Sequence, residues 1–284
     1  MISIRRQLGA LAFAAAAFAL AQAEAGTLDR MRQDKTFRIA FRADAPPFSF
    51  TDSIGVPAGF MVDLCRSVVK HVADDLKMPD LKVTYVPVTA ANRFDAITSG
   101  KADLLCGPTS ETLSRREQVD FSITTFVDGA SLLVAGDGPA DFRALAGQKV
   151  GVLAGTTTEK SLRDTLAGAG IAAEVVPAKT HDEGLAMLDK GAIVAYFGDR
   201  AILAYLASKS PDSGRLRVAD NYFSIEPYAL ALARGDEDFR LAVDRALSHI
   251  YRSGEIATLF AHTFGQMQPS DTLKALYLVG AVPD

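Results

Sequence analysis

Arg115 and Arg116 stand side by side in LLCGPTSETLSRREQVDFSITTF, the stretch Leu104–Phe126. Hydroxyl side chains crowd this segment, and apolar β-type runs flank it. A guanidinium offers a planar pair of N–H donors that matches a carboxylate, and a hydroxyl adds a further donor. The chemistry on offer is anion capture. A second such feature is LAGTTTEKSL (Leu153–Leu162), where a glycine turn precedes a helix that opens on hydroxyls. Free N–H groups and the helix dipole favour an anion there, although Thr156 also reads as an ordinary cap. Asp199 follows the strand-like run AIVAYFG, where an acid either closes a turn or meets a cation. Arg42 ends the first strand-like run, Arg93 opens a helix after VPVTAAN, and His181 follows VPAKT.

Other chemistries find little here. The four histidines (His71, His181, His249, His262) have no ligand-like spacing to one another or to cysteine, so no metal is expected. There is no G-x-S-x-G, and no serine or cysteine can be tied to a histidine. No cofactor motif is present.

Residues 1–25 read as a secretory signal peptide: Arg5 and Arg6, an uncharged run from Leu8 to Leu20, then small residues in A-x-A spacing. The expectation is export to the periplasm. Without Arg5 and Arg6 the chain keeps 28 basic against 33 or 34 acidic residues. That balance excludes nucleic acid as the partner, because no basic field exists to neutralise phosphates. Cys65 and Cys106 either pair, which export permits, or remain two buried thiols; the disulfide is the favoured reading.

Elements must position these groups. TFRIAFR (Thr36–Arg42) alternates as a strand, and Pro46 and Pro47 then extend the loop. In GFMVDLCRSVVKHVADDL, Phe60, Leu64, Val68 and Val72 recur at helical spacing. LKVTYVPV is a strand, and ANRFDAITSGKADLLCG gives a helix, a glycine stop and a buried strand. The rhythm repeats from QKVGVLAG to AIVAYFG. The prediction is an α/β chain with two similar lobes. Lobe 1 takes 26–133, lobe 2 takes 134–225, lobe 1 returns over 226–268, and 269–284 is a tail. Two strand-like crossings, GASLLVAGDG and FSIEPYALALARGD, make a hinge, and the cleft between lobes is the expected ligand site.

The sequence resembles the extracytoplasmic solute-binding proteins of amino-acid ABC importers, with the type II periplasmic-binding fold. PPFSF, GFMVDLC, RFDAITSGKADLL, TSETLSRREQVDFSITTF, GTTTEKSL and VAYFGDRAIL carry the resemblance, and VTAANRFDAITSGKADLLCG leans towards the glutamate/aspartate binders. It implies that Arg115 clamps the ligand α-carboxylate, with Ser110 sharing it and Thr157 closing from lobe 2. It implies that Asp199 meets the ammonium, and that Arg42, Arg93 and His181 read the side chain. Arg116 is expected on the surface. The partners implied are an L-amino acid and an integral-membrane permease, with the protein itself a monomer.

Three departures bear on the substrate. Ala90 and Pro108 stand where the acidic-amino-acid binders carry serines, and Pro108 has no N–H to donate. Ala45 replaces an aromatic that stacks on ligand in many basic and polar binders. An alternative on the same fold is an exported cyclohexadienyl dehydratase acting on prephenate or arogenate, which also needs a carboxylate clamp plus a positioned acid.

Overall fold

In the computed structural model, residues 26–139, 141–211 and 213–283 are described. The expected signal peptide lies outside them. Helix α1 (Thr27–Asp34) leads into β1 (Thr36–Arg42), whose alternation buries Phe37, Ile39 and Phe41 in one core. Short strands β2 (Asp44–Ala45), β3 (Ser49–Thr51) and β4 (Pro57–Ala58) form a small antiparallel sheet beside it. Helix α2 (Phe60–Asp75) buries the predicted stripe, with Phe60, Leu64, Val68 and Val72 all enclosed. Next come β5 (Lys82–Val88), α3 (Arg93–Thr98), β6 (Leu104–Cys106), the single turn α4 (Leu113–Arg116), β7 (Val119–Asp128) and β8 (Ala130–Ala135). The second unit contains β9 (Lys149–Leu153), α5 (Thr157–Gly168), β10 (Glu174–Ala178), α6 (His181–Asp189), β11 (Ala195–Asp199), α7 (Arg200–Lys209) and β12 (Leu216–Val218). The chain returns through β13 (Glu226–Ala233) and ends in α8 (Glu237–Arg252), α9 (Glu255–Phe264) and α10 (Asp271–Val279).

Two five-stranded sheets result, ordered β5-β1-β6-β13-β7 and β10-β9-β11-β8-β12. In each, three parallel strands are joined by an antiparallel fourth, β13 or β8, which is the strand that enters from the other sheet. The two-lobed expectation therefore holds. The strand Ala130–Ala135 differs from its expected place, straddling the end of lobe 1: it pairs with β11 and β12 in the second sheet. The crossing lies at Gly129, the first residue of GASLLVAGDG, and not at the expected boundary after residue 133.

At Gly129 the two crossings touch. A Cβ there would stand 2.4 Å from the Ser224 carbonyl oxygen and 2.7 Å from the Tyr222 ring. Only glycine allows this approach. Ala130 N–H donates to Ser224 Oγ at 3.1 Å, and Phe223 N–H donates to the Ala130 carbonyl at 2.8 Å.

Cys65 on α2 and Cys106 at the end of β6 form a disulfide, buried in the lobe 1 core. The last long helix read from the sequence is two helices, broken at Gly254, whose φ is 79°. The tail is a third helix. Ser270 caps α10, Leu273 and Tyr277 are buried, and the Tyr277 hydroxyl donates to the Thr125 carbonyl at 3.2 Å. No helix among the described residues is long and apolar enough to cross a membrane.

Candidate functional site

The C-terminal ends of the parallel strands in both sheets meet across one cleft. Its cavity is lined by Arg42, Arg93, Ser110, Arg115, Thr157, His181 and Asp199, together with Pro108, Leu153, Thr156, Thr158 and Ile202. All seven residues expected to bind ligand therefore converge.

Lobe 1 supplies the cations. The turn α4 begins with Thr112 accepting from Arg115 N–H at 3.2 Å. This turns the Arg115 side chain inward, where its Nη1 donates to the Ser110 carbonyl at 2.6 Å. Arg116 points out and pairs with Glu111. Arg93, at the first position of α3, is buried and donates to the Ala90 carbonyl. The Arg93 and Arg115 guanidiniums both lie against the Phe94 ring, 4.8 and 5.3 Å from its centre. Neither has an ion-pair partner among the described residues. Burial first, then the Arg115 and Arg42 charges, pull Arg93 down to about 9, so it stays charged at neutral pH. Burial also lowers Arg115. Arg42, buried at the end of β1, donates from Nε to Asp44 Oδ1 at 2.7 Å.

Lobe 2 supplies the acid and a neutral imidazole. His181 Nδ1 lies 3.1 Å from the Tyr196 hydroxyl. Gly184 makes room for that ring, since a Cβ there would come within 2.1 Å of it. Burial, then Arg42, hold His181 down at about 3, so it carries no charge at physiological pH. Asp199 ends β11 and precedes α7, yet its carboxylate makes no cap bond to that helix. Instead Tyr228, on β13, donates to Asp199 Oδ2 at 2.6 Å. Burial first, then Asp128 and Glu226, push Asp199 up to about 8. The same burial raises Asp128 to about 6.

The lobes are shut over the cleft. Ser110 Oγ and Thr157 Oγ1 stand 3.2 Å apart across it. Three lining side chains carry buried polar atoms without a hydrogen-bond partner among the described residues: Arg42 Nη2, Arg93 Nε and Asp199 Oδ1. Two donors and one acceptor thus converge on one enclosed space, which suits a molecule bearing both an anionic and a cationic group.

A family model for bacterial extracellular solute-binding proteins, family 3, matches residues 37–266. The chain belongs to that family. This solute-binding protein is 33% identical over 246 residues to the L-glutamate/L-aspartate-binding protein of Pseudomonas aeruginosa, covering 86% of this chain and 82% of the relative. It is 30% identical over 268 residues to the glutamate/aspartate import solute-binding protein of Escherichia coli, covering 90% and 89%. Among solved structures it resembles an ancestral amino acid-binding protein that is a precursor of cyclohexadienyl dehydratase. The TM-score is 0.73 at 28% identity, covering 84% of this chain and all of that one. An ancestral arginine-binding protein bound to glutamine matches with the same TM-score at 27% identity, over 82% and 99%. The type II fold expected from the sequence is the fold of these neighbours.

Sequence reasoning missed four residues that shape the solute-binding protein's cleft. Asp44 engages Arg42, Tyr228 engages Asp199, and Glu226 accepts from Thr157 Oγ1 at 2.7 Å. Asp128 accepts from Ala201 N–H at the start of α7, at 3.1 Å. Only Asp44 had a local signal, an acid two residues beyond the strand-end arginine.

Proposed function

We propose that this protein is the substrate-binding component of an amino-acid ABC importer, and that it takes an acidic L-amino acid, glutamate or aspartate, into the inter-lobe cleft. Arg115 holds the α-carboxylate, with the backbone N–H of Ser110 and the N-terminus of α5 at Thr157. Asp199 holds the ammonium. Arg42 and Arg93 face the side-chain carboxylate. With the Tyr196 O–H donating to Nδ1, neutral His181 offers Nε2–H as a further donor.

The observation that carries this reading is the set of partnerless buried atoms on Arg42, Arg93 and Asp199 around one cavity. Arg93 decides between a charged and an uncharged side chain. Arg115 is matched by the α-carboxylate, Asp199 by the ammonium and Arg42 by Asp44, while Glu226 is engaged by Ser224 and Thr157, which leaves Arg93 as the guanidinium with no acid in contact among the described residues. A ligand carboxylate neutralises it, whereas an amide does not. The names of the relatives support the same ligand class. Membership of the family supports docking of the closed form on a permease.

One observation favours a catalytic alternative. Burial and the neighbouring acids shift Asp199 towards the protonated form, the state that a general acid needs, and a structural neighbour is a precursor of cyclohexadienyl dehydratase. Tyr228 and a ligand ammonium account for Asp199 without chemistry, so binding is preferred.

Titration calorimetry on unfolded and refolded protein separates the two. The panel holds L-glutamate, L-aspartate, L-glutamine, L-arginine, L-cystine and prephenate. Micromolar or tighter binding of an acidic amino acid supports the importer reading. Turnover of prephenate, or no heat with any amino acid, overturns it.

A further inference from the structure

Glu226 is the first residue of β13, directly beyond the second crossing, and it is buried. Both of its oxygens are engaged. Ser224 Oγ donates to Oε1 at 2.9 Å, and Thr157 Oγ1 donates to Oε2 at 2.7 Å. A carboxylate only accepts, so the single hydroxyl proton of Thr157 is spent on Glu226. The Thr157 oxygen is then left as an acceptor, and Ser110 Oγ, 3.2 Å away, is its donor. Donation runs in one direction, from Ser110 in lobe 1 through Thr157 in lobe 2 to Glu226 on the hinge strand.

A negative charge is an odd choice here. Glu226 is close enough to Arg115 to favour its cationic form, and it helps to raise Asp199. Set beside a carboxylate clamp, an acid opposes an anionic ligand. What it gives in return is placement. Thr157 opens α5, where the first N–H groups lie outside the helical ladder and point at any anion bound there. Tying its side chain to the hinge strand sets the position of those N–H groups opposite Arg115.

We propose that Glu226 is a positioning residue for the ligand, acting through Thr157: it holds the N-terminus of α5 at the closed-cleft position from the strand that carries the hinge. This rests on the acidic amino-acid reading of the cleft. The role belongs to its acceptor oxygen and not to its charge. A glutamine at this position would keep the oxygen, and its amide can turn its second group towards Ser224 in place of the second acceptor.

The test is a double-mutant cycle read by calorimetry with L-glutamate and L-aspartate, on wild type, E226Q, E226A, T157V and T157V/E226A. Thermal melting of each variant is recorded in parallel. Expected is a loss of roughly tenfold or more in E226A, the scale of one hydrogen bond to a charged group. T157V/E226A should bind no more weakly than T157V alone, and E226Q should match wild type or exceed it. Additive losses, or E226Q binding as weakly as E226A, would overturn the proposal while leaving the ligand reading intact. If E226A does not fold, E226Q against T157V decides: equal weakness overturns, wild-type affinity in E226Q upholds. Wild type that binds neither amino acid overturns both readings together.

Discussion

The Tyr228 hydroxyl and the Asp199 carboxylate, 29 residues apart in sequence and on opposite lobes, meet at 2.6 Å. The bond joins β13 of lobe 1 to the end of β11 in lobe 2. It also opposes burial and the neighbouring acids, because a donor aimed at a carboxylate favours the charged form.

Burial and the neighbouring acids hold Asp199 at about 8, and an ammonium held against it requires the carboxylate. Binding below pH 8 therefore expels a proton. Affinity for L-glutamate should rise as pH climbs from about 6 to about 8, the folded-state value governing the upper end. Calorimetry in buffers of different ionisation enthalpy would record the released proton. Asp199→Asn should remove the slope and weaken binding by about tenfold or more. A flat wild-type profile would sink the ammonium role.

Asp199 together with Asp128 sets a pH dependence of folding with the opposite sense. Asp128 at about 6 and Asp199 at about 8 both lie above their unfolded value of roughly 3.9. Between those limits the native state binds more protons than the unfolded chain, so their contribution to stability is present at low pH and is lost as pH rises. Ligand-free protein should show this loss in its melting temperature from about pH 4 to 8, and the double variant D128N/D199N should flatten it. An unchanged slope in the variant would assign the effect elsewhere.

Arg115 and Arg116 should separate cleanly. Arg115→Lys keeps the charge but loses the planar fork, and binding should fall by about tenfold to a hundredfold. Arg116→Ala removes an exposed ion pair with Glu111 and should alter stability by less than about 1 kcal/mol, with affinity unchanged. Equal loss in the two variants would contradict the inward and outward division.

Selectivity for glutamate over glutamine should reside in Arg93. Arg93→Gln is expected to cut that ratio by about one to two orders of magnitude, measured as two dissociation constants. His181 stays neutral because burial holds it at about 3. His181→Gln should therefore weaken binding without changing its pH profile between about 5 and 7. A titration step lost in this variant would show that the imidazole is charged.

The buried Cys65–Cys106 bridge closes a loop with a sequence separation of 41. On chain entropy alone such a loop adds roughly 4 kcal/mol. The double variant C65A/C106A should melt several degrees lower and still bind ligand, since neither cysteine lines the cleft. Unchanged melting would mean that the unfolded chain is already confined.

The groups that bind were easier to read than the groups that hold them. Arg115, Asp199 and Arg42 sit at strand ends or a turn, where local pattern alone puts a side chain near a cleft. The strand Ala130–Ala135 is cut by the boundary after residue 133 because GASLLVAGDG reads as one strand passing from lobe to lobe. The true crossing needs only Gly129, a residue whose significance lies in Ser224 packed against it. Glu226 and Thr157 are 69 residues apart, and nothing local to either announces the other. The tail resisted reading for a similar reason: Tyr277 finds its partners in Thr125 on β7, far back in the chain, and in Tyr251 on α8.

Phe94 has a consequence for how cargo is exchanged. Arg93 and Arg115 rest on one aromatic ring, whereas Arg42 rests on an acid. A ring steadies a cation through its electron-rich face without neutralising it. An internal carboxylate would be a competitor that each incoming substrate had to evict, and it would recapture the guanidinium at every release. The aromatic surface is a placeholder that yields without a contest. Among the described residues, neither arginine is paired with a carboxylate that an arriving anion would have to displace.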